Sequence, residues 1–407
     1  WKDRLFVVSD DGYLYCLAIQ DGTLLWKKRG GPNAEMVLGN DRLVSRWPAR
    51  GGPVIQDGIV YFAAGIWTAE GTYLYAIDAS TGKVLWVNDS SGGLYMDQPH
   101  NGNRANSGVS VQGYLTIAGN SLIAPTGRAT PAIFERNSGK FTDFHLMRHS
   151  GGLGKRKGAG PFITAIDDDY FIAEDAFFQS TNGSFVGRGL LVSSTAFSPD
   201  LLVFSQENRI TAIRKSSFPG KPHRNKRLGK TIGTVEWSIS CADPVGASLP
   251  PATDNRYAKN FPELTNRTHP PLIVAGTTIV AGTLNNKLVT ADITSIQVVT
   301  TAELDGLAMG LAVADRALYV STDKGTIYCF VESQSNEAGS LNHPSDLKEP
   351  LDTNPYKDRE IYDQAAEEIL RSADLSQGYC VDLGCGDGAL SYALAKASTL
   401  QVIAVDD

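Results

Sequence analysis

From Trp1 to about Glu332 the chain repeats one short pattern, and that repetition limits what it can fold into more than any other feature. One copy runs Leu5–Gly12, Tyr13–Ala18 and Gln20–Trp26. A fuller copy runs Gly58–Gly65, Thr72–Asp78 and Ala79–Trp86. Weaker copies occupy Ser121–Phe144, Leu201–Arg214, Thr277–Glu303 and Ala317–Val331. Each unit reads as short alternating strands joined by Asp-Gly, Asn-Ser-Gly or Ser-Thr-Gly turns, which suit tight hairpins. A unit of this size cannot cover its own apolar faces, whereas radial stacking of several units can. At roughly 40–50 residues per unit the segment holds about seven, so a mainly β fold with seven to eight four-stranded blades is expected. The first unit lacks its leading strand and the last its final one. Either the two ends pair to close a ring, or the missing strands lie outside this sequence.

The copy Ala76-Ile77-Asp78-Ala79-Ser80-Thr81-Gly82-Lys83-Val84-Leu85-Trp86 resembles the docking repeat of pyrroloquinoline-quinone-type propellers. Gln20–Trp26 and Arg136–Phe141 are degenerate versions of it. The resemblance implies a quinoprotein-like β-propeller over residues 1–332. It also implies architectural roles for Trp26 and Trp86, each packed between neighbouring blades while the repeat's glycine makes the turn. Quinoprotein dehydrogenases add a quinone, a Ca²⁺ ion and often a disulfide between adjacent cysteines. This sequence has no Cys-Cys pair and no assignable set of oxygen ligands for calcium. Neither pyrroloquinoline quinone nor calcium is therefore expected, and a binding or scaffolding propeller is favoured over a quinone-dependent dehydrogenase.

A different signal stands near the end of the chain. In Val381-Asp382-Leu383-Gly384-Cys385-Gly386-Asp387-Gly388 an apolar strand turns through three glycines into a helix. Asp406 follows a second apolar strand, Val402–Val405. Glycines let such a turn close on a ligand and leave free N–H groups at the helix start. A carboxylate at the tip of the next strand lies where ribose hydroxyls need an acceptor. A looser dinucleotide fingerprint also fits, as Gly384-x-Gly386-x-x-Ala389. Asp382, two residues before the first glycine, weighs against it, as does a preceding helical stretch with Ile361, Ala365, Ile369 and Leu370 along one face.

This stretch resembles motif I of the class I S-adenosylmethionine-dependent methyltransferases. The resemblance implies that Gly384 and Gly386 admit the methionine and ribose portions, with Gly388 completing the turn. It further implies that Asp406 accepts bonds from the ribose hydroxyls and that Asp382 orients the loop or a water. Residues 358–407 then form the first part of an α/β, Rossmann-like domain that needs further strands and helices. Ser333–Lys357, with its three prolines, reads as the linker. The catalytic residues and the methyl acceptor are not legible.

Several weaker signals remain. Tyr95–Arg104 is polar between two repeats, and Asp97, His100 and Arg104 are its candidate ligand contacts at the propeller mouth. His145 and His149 lie four apart in a strand-and-turn context, which gives no shared metal face, so no metal site is expected. Lys215–Lys230 is basic around Pro219 and Pro222, with Phe218 its one aromatic. It reads as a solvated insertion, because the chain carries a net charge of −7 and offers nucleic acid no basic face. Asp243–Pro271 reads as a long excursion between blades. Asn88, Asn182 and Asn266 head glycosylation sequons. No apolar run is long enough to span a membrane. Five cysteines without metal spacing read as buried thiols.

The expected protein is thus a propeller that takes a protein or small-molecule ligand at one face, joined to an S-adenosylmethionine-dependent methyltransferase segment. The alternative is a non-catalytic propeller for envelope or protein assembly. The two halves point to different compartments: exported or periplasmic for the propeller, cytoplasmic for the cofactor.

Overall fold

Strand alternation explains how one thin sheet serves two cores at once. In Ile59–Ala64, Tyr61 and Ala63 point to one side and Val60, Phe62 and Ala64 to the other, and all five are buried. The two sets enter different apolar clusters, each shared with a different neighbouring sheet. A computed structural model describes residues 1–39, 42–98, 103–127, 129–144, 146, 163–173, 176–188, 194–222, 224, 229–246, 270–331, 356, 360–375 and 377–406.

Seven antiparallel sheets of three or four strands follow one another in chain order among the described residues. The first is three-stranded (Arg4–Val8, Tyr13–Ala18, Leu24–Arg29). Five four-stranded sheets follow. They begin at Val54–Gln56, Thr116–Ala118, Ile163–Ala165, Ser194–Phe197 and Leu272–Ala275 and end at Val84–Asn88, Phe141–Asp143, Phe185–Arg188, Val235–Ser240 and Gln297–Glu303. The seventh is again three-stranded (Ala308–Ala314, Ala317–Thr322, Ile327–Val331). The first and seventh sheets are thus one strand short of the other five among the described residues, as the incomplete first and last repeat units led one to expect. The fourth sheet was not read as a repeat because no Trp follows its turn, although Gly183 N bonds the Gln179 carbonyl as Gly82 N bonds that of Asp78. It supplies Phe171, Phe177 and Phe178 to the cores on its two sides.

Six apolar clusters join consecutive sheets, first to second through sixth to seventh. Leading strands of the third and fourth, fifth and sixth, and sixth and seventh sheets lie side by side, as radial stacking requires. Among the described residues no such cluster joins the seventh sheet to the first. Leu5, Val7 and Leu25 on the first sheet, and Met309, Ile327 and Val331 on the seventh, are exposed.

The docking repeat shows how adjacent sheets grip. A Cβ on Gly82 would lie 2.8 Å from the Trp26 ring, and one on Gly139 would lie 2.4 Å from Trp86. Both glycines have positive φ, so the turn needs glycine for its backbone as well as for the space. Each Trp, half-buried, thus slides under the turn of the next sheet. Trp86 Nε1 also donates to the Arg136 carbonyl at 3.0 Å. Trp26 Nε1 has no partner, because Arg4 Nη1 occupies the equivalent carbonyl, that of Ala79, at 3.3 Å.

The remaining sequence signals fall into place around this frame. Phe218 packs on Tyr170 and Phe177 in the core between the fourth and fifth sheets, so it is structural and not a base-stacking platform. Asn88 is buried and donates to the Gly139 carbonyl at 2.8 Å, which removes it as a glycosylation acceptor. Asp243 holds Lys287 at 3.2 Å and Asn285 at 2.7 Å. His100, His145, His149, Asn266 and the linker residues 333–355 lie outside the described residues. No described helix is long and apolar enough to cross a membrane.

Beyond the sheets, helix α1 (Glu360–Ala373) precedes a parallel pair of strands, Gln377–Leu383 and Thr399–Val405, linked by helix α2 (Ala389–Ala397). The apolar face of α1 is not the expected one. Tyr362, Ala366 and Leu370 face α2 and the strands, whereas Ile361 and Ile369 are exposed. The apolar side chains of α1 span more than one face, and the smallest, Ala366, allows the close approach to α2. Cys380 and Val402 cover the helix side of the strands, and Tyr379, Val381 and Leu383 are exposed on the other side.

Candidate functional site

The parallel unit builds a turn whose shape comes from its glycines. Gly384, Gly386 and Gly388 have φ of 75°, 58° and 80°, a region that residues with a Cβ enter only at a cost. Nothing lies within 4 Å of where a Cβ would stand on Gly384 or Gly386, so the turn is open on that side. Its base is fixed by the second strand: the Val405 carbonyl accepts from Gly384 N at 2.7 Å and Cys385 N at 3.1 Å. The same bonds place Asp406, the next residue and exposed, beside the turn. Gly388 N donates to the Cys385 carbonyl at 2.9 Å and caps the start of α2.

Asp382 lies on the helix side of its strand, where Ser391 Oγ in the first turn of α2 donates to its Oδ2 at 2.6 Å. Its carboxylate is therefore tied to α2. Sequence reading missed Ser391, although a hydroxyl nine residues on, in the first helical turn, is the signal that finds it. Tyr356 was missed as well. Its hydroxyl donates to the Asp387 carbonyl, and no local spacing announces a contact across 31 residues.

The structure thus brings Asp382, Gly384, Gly386, Gly388 and Asp406 together at one strand–turn–helix corner. An open glycine turn, a helix start and an exposed carboxylate at the adjoining strand tip are the donor and acceptor set that a nucleoside with a charged tail requires. Asp97 and Arg104 stand elsewhere.

They face each other across a two-stranded hairpin, Leu94–Asp97 with Arg104–Ser107, 3.4 Å apart. Arg104 also donates to the Tyr95 carbonyl at 3.0 Å and lies over its ring at 4.9 Å. Both charges therefore serve the hairpin itself. A second hairpin, Met36–Gly39 with Arg42–Ser45, follows the first sheet. Arg46, next to it, holds Glu70 at 2.6 Å and Glu35 at 2.7 Å, which keeps the Glu70 carboxyl below its ordinary range. Trp47 Nε1 donates to the Glu70 carbonyl at 2.7 Å.

Topology puts these features on one end of the sheets. In a four-stranded up-and-down sheet the second-to-third strand loop and the exit from the last strand share an end, and in the three-stranded first sheet the exit shares an end with the first-to-second strand loop. Both hairpins leave last strands, and the Thr68–Glu70 turn joins the second and third strands of its sheet. That end exposes Leu38, Trp67 and Tyr95, at 56%, 68% and 59%. Among the described residues no group of three or more His, Cys, Asp or Glu side chains is placed to hold a metal ion.

Comparison with known proteins agrees with the repeat. A family model described as outer membrane protein assembly factor BamB matches residues 2–182 and 246–338, and ends before the parallel unit. No curated protein matches the chain. Among solved structures, BamB from Moraxella catarrhalis is 15% identical, aligned over 81% of this chain and 94% of its own, with a TM-score of 0.44. A dihydro-heme d1 dehydrogenase, NirN, reaches 0.51 at 11% identity over 84% of this chain and 64% of its own. The C-terminal WD40 domain of Sif2 reaches 0.50 at 10% identity, over 81% and 78%. At these identities the last two show a shared fold, a mainly β propeller-type arrangement, and no more.

Proposed function

The chain belongs to the family of the outer membrane protein assembly factor BamB, and on that premise we propose that its propeller is a non-catalytic scaffold that docks another protein. The observation that carries this reading is the exposed end of the sheets, where Leu38, Trp67 and Tyr95 stand out while the nearby charges are paired within the protein. A surface of that kind favours a partner's apolar side chains over a charged small molecule. The scaffold presents this surface on seven sheets packed face to face, which keep it rigid. A photo-crosslinking residue at Tyr95 is expected to give discrete protein adducts, and one at Val299, exposed on the outer strand of the sixth sheet, few. Equal labelling from both positions, or none, counts against the reading.

For the parallel unit we propose S-adenosylmethionine binding within a methyltransferase domain that begins near residue 358. The three left-handed glycines and Asp406 at the strand tip support it. Asp382 brings negative charge near the turn, which suits a cationic sulfonium and amino group better than a pyrophosphate. Catalysis by such an enzyme consists largely in aligning the sulfonium and acceptor for in-line transfer. Calorimetry on the full-length protein tests it: S-adenosylhomocysteine binds and NAD does not. Tight NAD binding reverses the assignment.

A further inference from the structure

Left-handed glycines make the turn after Leu383 easy to deform, because glycine has the widest conformational freedom of any residue. Side-chain packing does not restrain it, since the space around Gly384 and Gly386 is open. What holds it is a set of hydrogen bonds. The parallel unit itself supplies bonds from Gly384 N and Cys385 N to the Val405 carbonyl, and from Ala389 N to Asp387 Oδ1 at 3.2 Å. The peptide between Asp387 and Gly388 is gripped from both ends. Its N–H donates to the Cys385 carbonyl, and its carbonyl accepts from the Tyr356 hydroxyl. The Tyr356 ring lies 5.5 Å from the Tyr392 ring of α2 at 56°, so packing on the helix sets where that hydroxyl stands.

We infer that Tyr356 is a positioning residue for the nucleoside site, locking the Asp387–Gly388 peptide so that the turn is formed before ligand arrives. The inference rests on the S-adenosylmethionine reading of this turn. A peptide between two glycine-flanked positions flips at little cost unless both of its polar groups are engaged. Tyr356 engages the carbonyl, and the flip then costs two bonds instead of one. Rigidity present before binding raises affinity, because the ordering is not charged to the ligand.

Tyr356→Phe tests this in the full-length protein, since it keeps the ring against Tyr392 and removes the hydroxyl. S-adenosylhomocysteine is expected to bind about 3- to 10-fold more weakly by calorimetry, the effect of one lost hydrogen bond. The melting temperature is expected to stay unchanged. In the ligand-free variant the Gly388 amide exchanges with solvent faster than in wild type, whereas amides of the α2 interior do not. A general packing defect moves the α2 amides too and overturns the proposal. So does a variant that binds as wild type does, or that leaves Gly388 exchange unaltered. If wild type itself fails to bind S-adenosylhomocysteine, the cofactor reading falls and this inference with it.

Discussion

Ile296 occupies the turn position that glycine holds in the docking repeat, with φ of 56°. A β-branched residue there is strained, at a cost of about 1–2 kcal/mol relative to its preferred backbone. Glycine removes that strain but has more freedom to lose on folding, so Ile296→Gly is expected to stabilise by about 0.5–1 kcal/mol. Thermal unfolding of the two proteins checks the sign. Trp86→Ala has the opposite effect: a large ring packed under Gly139 is lost together with its bond to the Arg136 carbonyl, a cost of about 3 kcal/mol. An unchanged melting temperature sinks the docking role given to Trp86. At the parallel unit, Asp406→Ala is expected to weaken S-adenosylhomocysteine binding by about 1.5–3 kcal/mol, the value of charge-assisted bonds to ribose hydroxyls. A variant that binds normally means the carboxylate was misread.

At the scale of elements, ion pairs join the strands, hairpins and turns at the exposed end to one another. Arg46 bridges Glu35 and Glu70, and through them joins the Met36–Ser45 hairpin to the Thr68–Glu70 turn. Because Arg46 depresses the folded-state pKa of Glu70, the pair stabilises the fold above the ordinary Glu pKa. That contribution is lost as pH falls through the depressed value. Wild type should therefore lose more stability than Glu70→Gln does as pH drops from about 5 towards 3, which melting curves across that range measure. Equal acid limbs for the two proteins rule out the linkage. What was readable in the sequence divides along the same line. Turns written as Asp-Gly or Ser-Thr-Gly announced the first, second and third sheets, since glycine at positive φ is a local requirement. The fourth sheet was hidden, because no Trp follows its Gly183 turn and its phenylalanines take their partners from neighbouring sheets. For the parallel unit the glycines and Asp406 were legible, but Ser391 and Tyr356 act through folding contacts that spacing alone did not flag. Asp97 and Arg104 were legible as a polar pair, but not that they stand directly opposite each other across two strands.

On the scale of the whole molecule, one rule links the sheets: a side chain from the outer strand of one sheet lies beneath a glycine turn of the next. Trp26, Trp86 and Asp143 meet Gly82, Gly139 and Gly183 in this way. Six shared cores and this repeated grip hold the exposed end at fixed geometry, and such rigidity is what a docking scaffold supplies. The central claim is that this end, with Leu38, Trp67 and Tyr95, receives a protein partner. The most direct measurement places a photo-crosslinking residue at Leu38 and compares adducts with Trp67 and Tyr95 intact or both changed to Ser. The account predicts a discrete protein adduct that disappears in the double variant while the melting temperature is kept. The same adduct from the double variant, or no adduct from either protein, would contradict it.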